Sequence, residues 1–209
     1  MKGEAARRGR IIAEAVAAEV ARTGCRGVVL ASPPGPEADL LAGWLPGSLP
    51  LRRPDPGAVS DVAGALAAAG APGPHVEALA WQAVALALAL SQGLLPVGTT
   101  NKTALLLEDA PLPARVLPLG DLWATEVERW AGRATLPAVL RDTTDADVVA
   151  VEKALRDYLQ EGVAPHAAFA PLGALGTLVQ VALDAAERRR RGMVIPKLEK
   201  WTAGIDLAR

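Results

Sequence analysis

Small and polar residues follow an apolar run in the middle of the chain, where they could form a ligand site. The run, 94–97, predicts a strand that ends at Gly98 and Thr99. Lys102 then opens a predicted helix that extends to Glu108. A strand that gives way to a glycine, a capping residue and a helix is typical of α/β proteins, which bind ligands at the carboxyl ends of parallel strands. The pattern therefore predicts a strand-to-helix turn with a lysine beside it.

The same order of features recurs further along the chain. The apolar run 115–119 predicts another strand, and Gly120 and Asp121 separate it from a helix predicted over 122–130. Threonine and aspartate cap helices because their side chains accept hydrogen bonds from first-turn N–H groups. We expect Thr99 and Asp121 to be such caps, with contact to a nucleotide as the alternative for each.

The first part of the chain supplies other elements that would hold this site. Residues 4–22 carry apolar side chains at helical spacing, which predicts an amphipathic helix. Residues 26–31 form a short apolar run of the kind found in buried parallel strands. Ser32 ends that strand and begins a Pro-rich segment that continues to Asp39.

The remaining segments predict one further strand, over 48–52, and more helices. These helices are predicted over 59–69, over 75–90, over a segment capped by Thr144 or Asp145, and over 166–191 with interruptions at Pro171 and Gly173. Neither an internal repeat nor a linker divides the sequence. We therefore expect a single domain over residues 1–209.

The amino-acid sequence of the central stretch resembles that of one family. GTTNKTALLL, from Gly98, and LPLGDLWATEV, around Asp121, are similar to the GTxNKxELLLG and LPxGDLYKTQV segments of the NAD synthetases, which are N-type ATP pyrophosphatases. The resemblance implies an α/β three-layer sandwich with a mostly parallel, Rossmann-like sheet of the adenine nucleotide alpha hydrolase type. It also implies a homodimer. The residues that match the family's nucleotide site are Ser32, Gly98, Thr99, Lys102 and Asp121.

The family reaction consumes ATP with magnesium. ATP adenylates the carboxylate of nicotinic acid adenine dinucleotide, and ammonia then displaces AMP to give NAD. The family's phosphate loop reads SGGxDS, but here Pro33 and Pro34 stand in place of its glycines, and Pro36 and Glu37 in place of its Asp and second Ser. Proline has no N–H to donate to a phosphate, and Glu37 adds a negative charge.

Charged residues at other positions of the family's motifs are also replaced in this chain. Ala104 stands where the family has a magnesium-binding Glu, and Ala124 where it has a Lys. Leu79 and Trp81 stand where the long helix has two arginines. We therefore predict no catalytic residue and no metal ligand, and a degenerate protein with a binding or regulatory role. The alternatives are an active ammonia-dependent NAD synthetase, with ATP and magnesium as cofactors, and an enzyme repurposed for another small molecule.

The amino-acid composition limits the partners, metal sites and locations that we expect. Twenty-two basic residues balance 23 acidic ones, which does not suggest nucleic-acid binding. A single cysteine, Cys25, rules out a disulfide within the chain, and two distant histidines make a zinc site unexpected. The apolar segment 78–90 is too short to span a membrane, and we expect a cytoplasmic protein. The run Arg188–Arg191 reads either as a phosphate-binding patch or as a solvated helix end.

Overall fold

A computed structural model of the protein describes residues 2–71, 73–107, 114 and 116–187. Over these residues the chain is a helix-rich α/β protein with a small parallel sheet. The strands are β1 (Val28–Leu30), β2 (Leu51–Arg52) and β3 (Leu95–Val97). The α-helices are α1 (Lys2–Thr23), α2 (Pro36–Trp44), α3 (Pro56–Ala68), α4 (Val76–Gln92), α5 (Lys102–Leu107), α6 (Ala124–Ala131), α7 (Asp145–Leu159), α8 (Pro165–Phe169) and α9 (Ala174–Glu187). Short 3-10 turns cover Gly73–His75, Ala138–Leu140 and Ala170–Leu172.

The sheet has the order β2-β1-β3, with both neighbours parallel to β1. The three strands lie where the apolar runs predict them. A close approach at Gly27 helps β2 to pair, because a Cβ there would lie 2.4 Å from the carbonyl oxygen of Pro50. The N–H of Val28 donates to that same oxygen at 2.8 Å.

The strand predicted over 115–119 forms one bridge over its described residues, 116–119. Val116 pairs in parallel with Val97, and the chain then turns. The N–H of Gly120 donates to the carbonyl of Leu117 at 2.9 Å. Pro118 has no N–H to continue a ladder, which explains why pairing stops after one residue. Arg115 lies outside the described residues.

Side chains that alternate along β1 enter two different apolar clusters. Val28 and Leu30 pack with α1 and α2, whereas Val29 and Ala31 pack with Ala85 of α4. A separate cluster joins α5 to α7 and α9 around fully buried residues such as Leu155. The sheet therefore lies between helices, and the last three helices form a second packing centre beside it.

The helix ends agree with the sequence in several places. Thr144, one of the two predicted caps, accepts a hydrogen bond from the N–H of Asp147 at 3.2 Å and begins α7. The predicted interruption at Pro171 and Gly173 separates α8 from α9. Among the helices that the structure describes, none has both the length and the apolar character needed to cross a membrane.

Candidate functional site

Two of the predicted site residues meet at the carboxyl ends of neighbouring strands. Ser32 follows β1 and Thr99 follows β3, and the Thr99 N–H donates to Ser32 Oγ at 3.1 Å. Gly98 is buried, and its N–H donates to the carbonyl of Val116 at 2.9 Å. The parallel sheet thus brings the two segments together as expected. The Ser32 hydroxyl and the two N–H groups that a ligand would use there therefore already have hydrogen-bond partners within the protein.

Asn101, rather than Thr99, caps α5. Its Oδ1 accepts a hydrogen bond from the N–H of Ala104 at 2.9 Å, in the first turn of the helix. The expectation that Thr99 is the cap is therefore wrong. The helix begins at Lys102, so Asn101 is the residue whose side chain can reach the third helical N–H. Thr99 lies two positions too early and is part of the turn after β3.

Asp121 is not a helix cap either. Helix α6 begins at Ala124, two residues later than predicted, and Asp121 pairs with Lys102, where Nζ lies 3.2 Å from Oδ1. The two side chains are 0% and 3% exposed, respectively. A buried ammonium needs a counter-charge, and Asp121 provides it for Lys102.

Trp123 lies next to two cationic side chains. Lys102 Nζ is 4.7 Å from the centre of the Trp123 ring, and Arg156 Cζ is 4.9 Å from it. Cations at this distance from an indole are attracted by the negative potential of its ring. The ring and Asp121 therefore both stabilise the Lys102 ammonium inside the protein. A phosphate could use this ammonium only after the ion pair had separated.

A carboxylate of the protein itself binds the N-terminal end of α6. Glu152 is 2% exposed and accepts hydrogen bonds from Thr103 Oγ1 at 2.6 Å, from the Thr125 N–H at 3.2 Å and from Thr125 Oγ1. The N–H of Ala124 donates to Thr103 Oγ1 at 3.0 Å. Helix N-termini attract anions because their first N–H groups lack partners within the helix. Here Glu152 of α7 is that anion.

A second buried carboxylate lies at the start of α2. Glu37 is 3% exposed and accepts hydrogen bonds from both the N–H and the hydroxyl of Thr135, the latter at 3.0 Å. The carbonyl of Thr135 in turn accepts from Asn101 Nδ2 at 2.9 Å. A continuous set of hydrogen bonds therefore links α2, Thr135 and the cap of α5. The Glu37 carboxylate therefore binds donors of the protein itself.

The Pro-rich segment is shorter than the sequence suggested. Pro33 and Pro34 are exposed in the turn after β1, but Pro36 is the first residue of α2. Proline suits that position because the first helical N–H has no partner within the helix. Pro36 therefore lies at the first helical position and not in the loop, where it still has no N–H to donate, and Pro33 and Pro34 lie in the turn between β1 and α2.

The residues present do not fit ATP with magnesium as the resembled family would hold them. Ala104 and Ala124 are buried and have no side-chain oxygen or ammonium. Within the described ranges, no group of three or more His, Cys, Asp and Glu side chains could hold a metal ion. The run Arg188–Arg191 lies outside the described residues.

The sequence gives little indication of the hydrogen-bond partners that complete this site. An Asn directly before an apolar helix is a local signal for a cap, and Asn101 could have been found in that way. Glu37, Thr135 and Glu152 have no such signal. Glu37 and Thr135 are 98 positions apart, and Thr103 and Glu152 are 49 apart.

Comparison with known proteins adds one distant likeness. No family model and no curated protein matches the chain. A solved structure of a glutamine-dependent NAD+ synthetase from Acinetobacter baumannii, in complex with adenosine diphosphate, superposes on it with a TM-score of 0.41 and 16% identity. The match covers 91% of this chain and 46% of that one, so this chain spans less than half of that protein's length. At this level the likeness assigns neither a family nor a function.

Proposed function

We propose that this chain is a NAD synthetase-like protein that has lost the ATP-dependent reaction of the family and serves a binding or regulatory role. The proposal starts from the resemblance of the segments around Gly98 and Asp121 to the NAD synthetases. The observation that carries the loss of reaction is the pair of buried alanines, Ala104 and Ala124, which have no side-chain oxygen or ammonium where the family has a Glu and a Lys. The cation that the motif retains is already neutralised within the fold.

The surrounding contacts support the same conclusion. Glu152 provides the anion at the start of α6, and Glu37 binds Thr135 beside α2. Two prolines after β1 cannot donate N–H groups to a phosphate. Removing a single group that stabilises the transition state typically lowers the rate by about 10²–10³-fold. Replacement of several such groups at once leaves no useful adenylation.

Calorimetry with ATP and magnesium tests this proposal directly. We expect no saturable heat when the purified full chain is titrated at micromolar concentration. We also expect no NAD when the chain is incubated with nicotinic acid adenine dinucleotide, ATP, magnesium and ammonia. Low-micromolar ATP affinity together with NAD formation would establish the first alternative, an active synthetase.

A matched variant distinguishes the effect of the two prolines on ATP binding from the effect of the ion pair. Pro33→Gly/Pro34→Gly restores the two glycines of the family loop but leaves Lys102 paired with Asp121. We expect this variant to bind ATP as poorly as the natural chain. If it gained micromolar affinity, the two prolines alone would account for the loss, and the ion pair would not.

Thermal-shift measurements test the binding role that we propose. The ligand class to examine is a nucleotide or dinucleotide, presented without magnesium because the described residues offer no metal ligands as a group. A concentration-dependent rise in melting temperature with NAD or its deamido precursor would identify the ligand. Turnover of another small molecule would instead favour the repurposed enzyme.

Three finer features belong to the same proposal. The helices on both sides of β1 support a three-layer sandwich of the adenine nucleotide alpha hydrolase type. The family resemblance supports a homodimer, and the short length of the apolar segment 78–90 supports a cytoplasmic location. Light scattering tests the dimer, and fractionation of cells that express the full-length protein tests its location.

A further inference from the structure

Helix α9 has apolar side chains on its outer face as well as on its inner face. On the inner face, Val179 is 0% exposed and Leu183 is 5% exposed, and both belong to the second packing centre. On the outer face, Leu178 is 58% exposed and Val181 is 64% exposed. The outer face of a surface helix normally carries charged and polar residues. The two exposed apolar side chains therefore indicate a face on which a further segment packs.

Four residues define this face, which we call the outer stripe of α9. They are Ala174, Leu178, Val181 and Ala185, separated by four, three and four positions. None of the four belongs to the apolar clusters formed by the described residues. Alternating steps of three and four positions are the spacing by which one helix packs along another. The outer stripe therefore fits a second helix.

The sequence that directly follows α9 has a matching pattern. Residues 188–209 come after the last residue of α9 and lie outside the described residues. Gly192 and Pro196 are of the types that favour turns. The apolar residues beyond them recur at steps of three, four and three positions, at Leu198, Trp201, Ile205 and Ala208. The sequence therefore predicts a turn and then an amphipathic helix.

The side chains of the two stripes are complementary in size. When the chain reverses at the glycine of the predicted turn, positions equally far from that glycine come level with each other. Trp201 then lies between Val181 and Ala185. Ile205 lies between Leu178 and Val181. The large indole therefore packs beside the small side chain of Ala185, as the ridges of one helix pack into the grooves of another.

The charges of the two segments also favour this arrangement. The sequence of α9 contains Asp184 and Glu187 but neither Lys nor Arg. Residues 188–209 contain seven basic residues against two acidic ones. Lys200 comes level with Asp184, which is exposed. Opposite charges at the edge of an apolar contact favour association and fix its register.

We propose that the outer stripe of α9 is the docking site for residues 197–208 of the same chain, which pack on it as an antiparallel helix. Because a short connection joins the two segments, the effective concentration of the second one is high, and docking does not depend on protein concentration. The proposal uses only α9 and the sequence that follows it. It is independent of the proposed loss of ATP binding, so the calorimetric result and the tests below can fail separately.

Disulfide formation within one chain tests the arrangement. The full chain with Cys25→Ala receives Leu178→Cys together with Ile205→Cys. We expect a disulfide between positions 178 and 205 under mild oxidation, at a rate that does not change on dilution. The control combines Ile205→Cys with Val149→Cys, since Val149 of α7 has a similar exposure, 57%. The control disulfide should form about tenfold more slowly. Equal rates for the two pairs, no disulfide between positions 178 and 205, or disulfides only between separate chains would overturn the proposal.

Thiol labelling tests the apolar contact itself. In the same cysteine-free background, Thr202→Cys places a thiol beside Trp201, where docking should slow its reaction with a thiol reagent. Leu178→Lys/Val181→Lys should raise the labelling rate about tenfold, because an apolar partner cannot cover the two ammonium groups. Val149→Lys is the matched control and should leave the rate unchanged. The same labelling rate with and without the two lysines on α9 would contradict docking on the outer stripe, as would an equal increase with Val149→Lys.

Discussion

Lys102 and Asp121 form an ion pair in which Nζ lies 3.2 Å from Oδ1 and neither side chain is more than 3% exposed. Both residues belong to the segments that resemble a nucleotide site, yet they neutralise each other. Loss of one partner from a buried pair costs more than loss of an exposed pair, because the remaining charge stays in a medium of low polarity.

We predict that Asp121→Asn lowers the free energy of unfolding by about 3–5 kcal/mol, because the buried ammonium of Lys102 then lacks its counter-charge. The measurement is chemical denaturation of the purified variant. The double variant Lys102→Met/Asp121→Asn should recover much of this loss, since it removes the unpaired charge.

A surface pair provides the control for this prediction. Lys153 Nζ lies 2.5 Å from Asp157 Oδ2, but the lysine side chain is 75% exposed. Lys153→Met should cost about 1 kcal/mol or less. If Asp121→Asn cost as little as Lys153→Met, the ion pair would not hold Lys102 in place, and its ammonium could bind a phosphate instead.

The sequence predicts those features of this protein that depend on neighbouring residues. The strands β1, β2 and β3 follow from apolar runs, and Thr144 from its position before an amphipathic helix. The errors occur where a distant residue competes for a side chain. The local sequence makes Asp121 a reasonable helix cap, but its carboxylate pairs instead with Lys102, which lies 19 positions away.

Turns are the second source of error. The difference between Thr99 and Asn101 as the cap of α5 depends on where the helix starts, which the sequence alone fixes to within a few residues. The buried carboxylates of Glu37 and Glu152 could not be predicted, because their partners become neighbours only when the whole domain is folded. The strands that lead into these turns are therefore predicted by the sequence, but the hydrogen bonds within the turns are not.

The cap of α5 can be tested with two substitutions. We predict that Asn101→Ala lowers the free energy of unfolding by about 1–2 kcal/mol, because the N–H of Ala104 loses its acceptor. Asn101→Ser should cost less, since its hydroxyl oxygen is an acceptor for that N–H and only the donation to Thr135 is lost. Thermal melts of both variants provide the measurement. A larger cost for Thr99→Ala than for Asn101→Ala would contradict the assignment.

The cap of α7 should make stability depend on pH. A hydrogen bond from the Thr144 hydroxyl, supported by one from its N–H, holds the pKa of Asp147 below its ordinary value. A carboxyl whose pKa is lowered by folding stabilises the protein above its unfolded pKa, and this contribution disappears as the pH falls through the folded pKa. We therefore expect the loss to begin around pH 4, the ordinary value being about 3.9, and to continue below it.

NMR titration of the Asp147 carboxyl carbon checks this expectation. Thr144→Ala should raise the pKa of Asp147 towards its ordinary value, because the hydroxyl donor is removed. Asp147→Asn should weaken the decrease of stability in acid compared with the natural chain. An unchanged Asp147 titration in Thr144→Ala would show that the cap does not cause the shift.

Two helical glycines should respond to alanine in opposite directions. A Cβ at Gly176 would lie 2.2 Å from the carbonyl oxygen of Phe169, so Gly176→Ala must displace the backbone between α8 and α9. We predict a clear drop in melting temperature. Gly64 of α3 has nothing within 4 Å of its Cβ position, and Gly64→Ala should stabilise the helix by about 0.5–1 kcal/mol. Equal effects of the two substitutions would contradict the close approach at Gly176.

The hydrogen bonds between Glu37 and Thr135 tie the start of α2 to a segment 98 positions away. We predict that Glu37→Gln costs about 1–3 kcal/mol, because an amide has one acceptor oxygen where the carboxylate has two and would leave a buried donor without its partner. A cycle with Thr135→Val should show that the two changes are not additive, since both act on the same contact.

Asp39→Asn is the control, because Asp39 lies on the same helix but its pair with Arg53 is exposed. This control should cost about 1 kcal/mol or less. Additive costs at positions 37 and 135 would mean that the Thr135 hydroxyl does not bind the Glu37 carboxylate in solution.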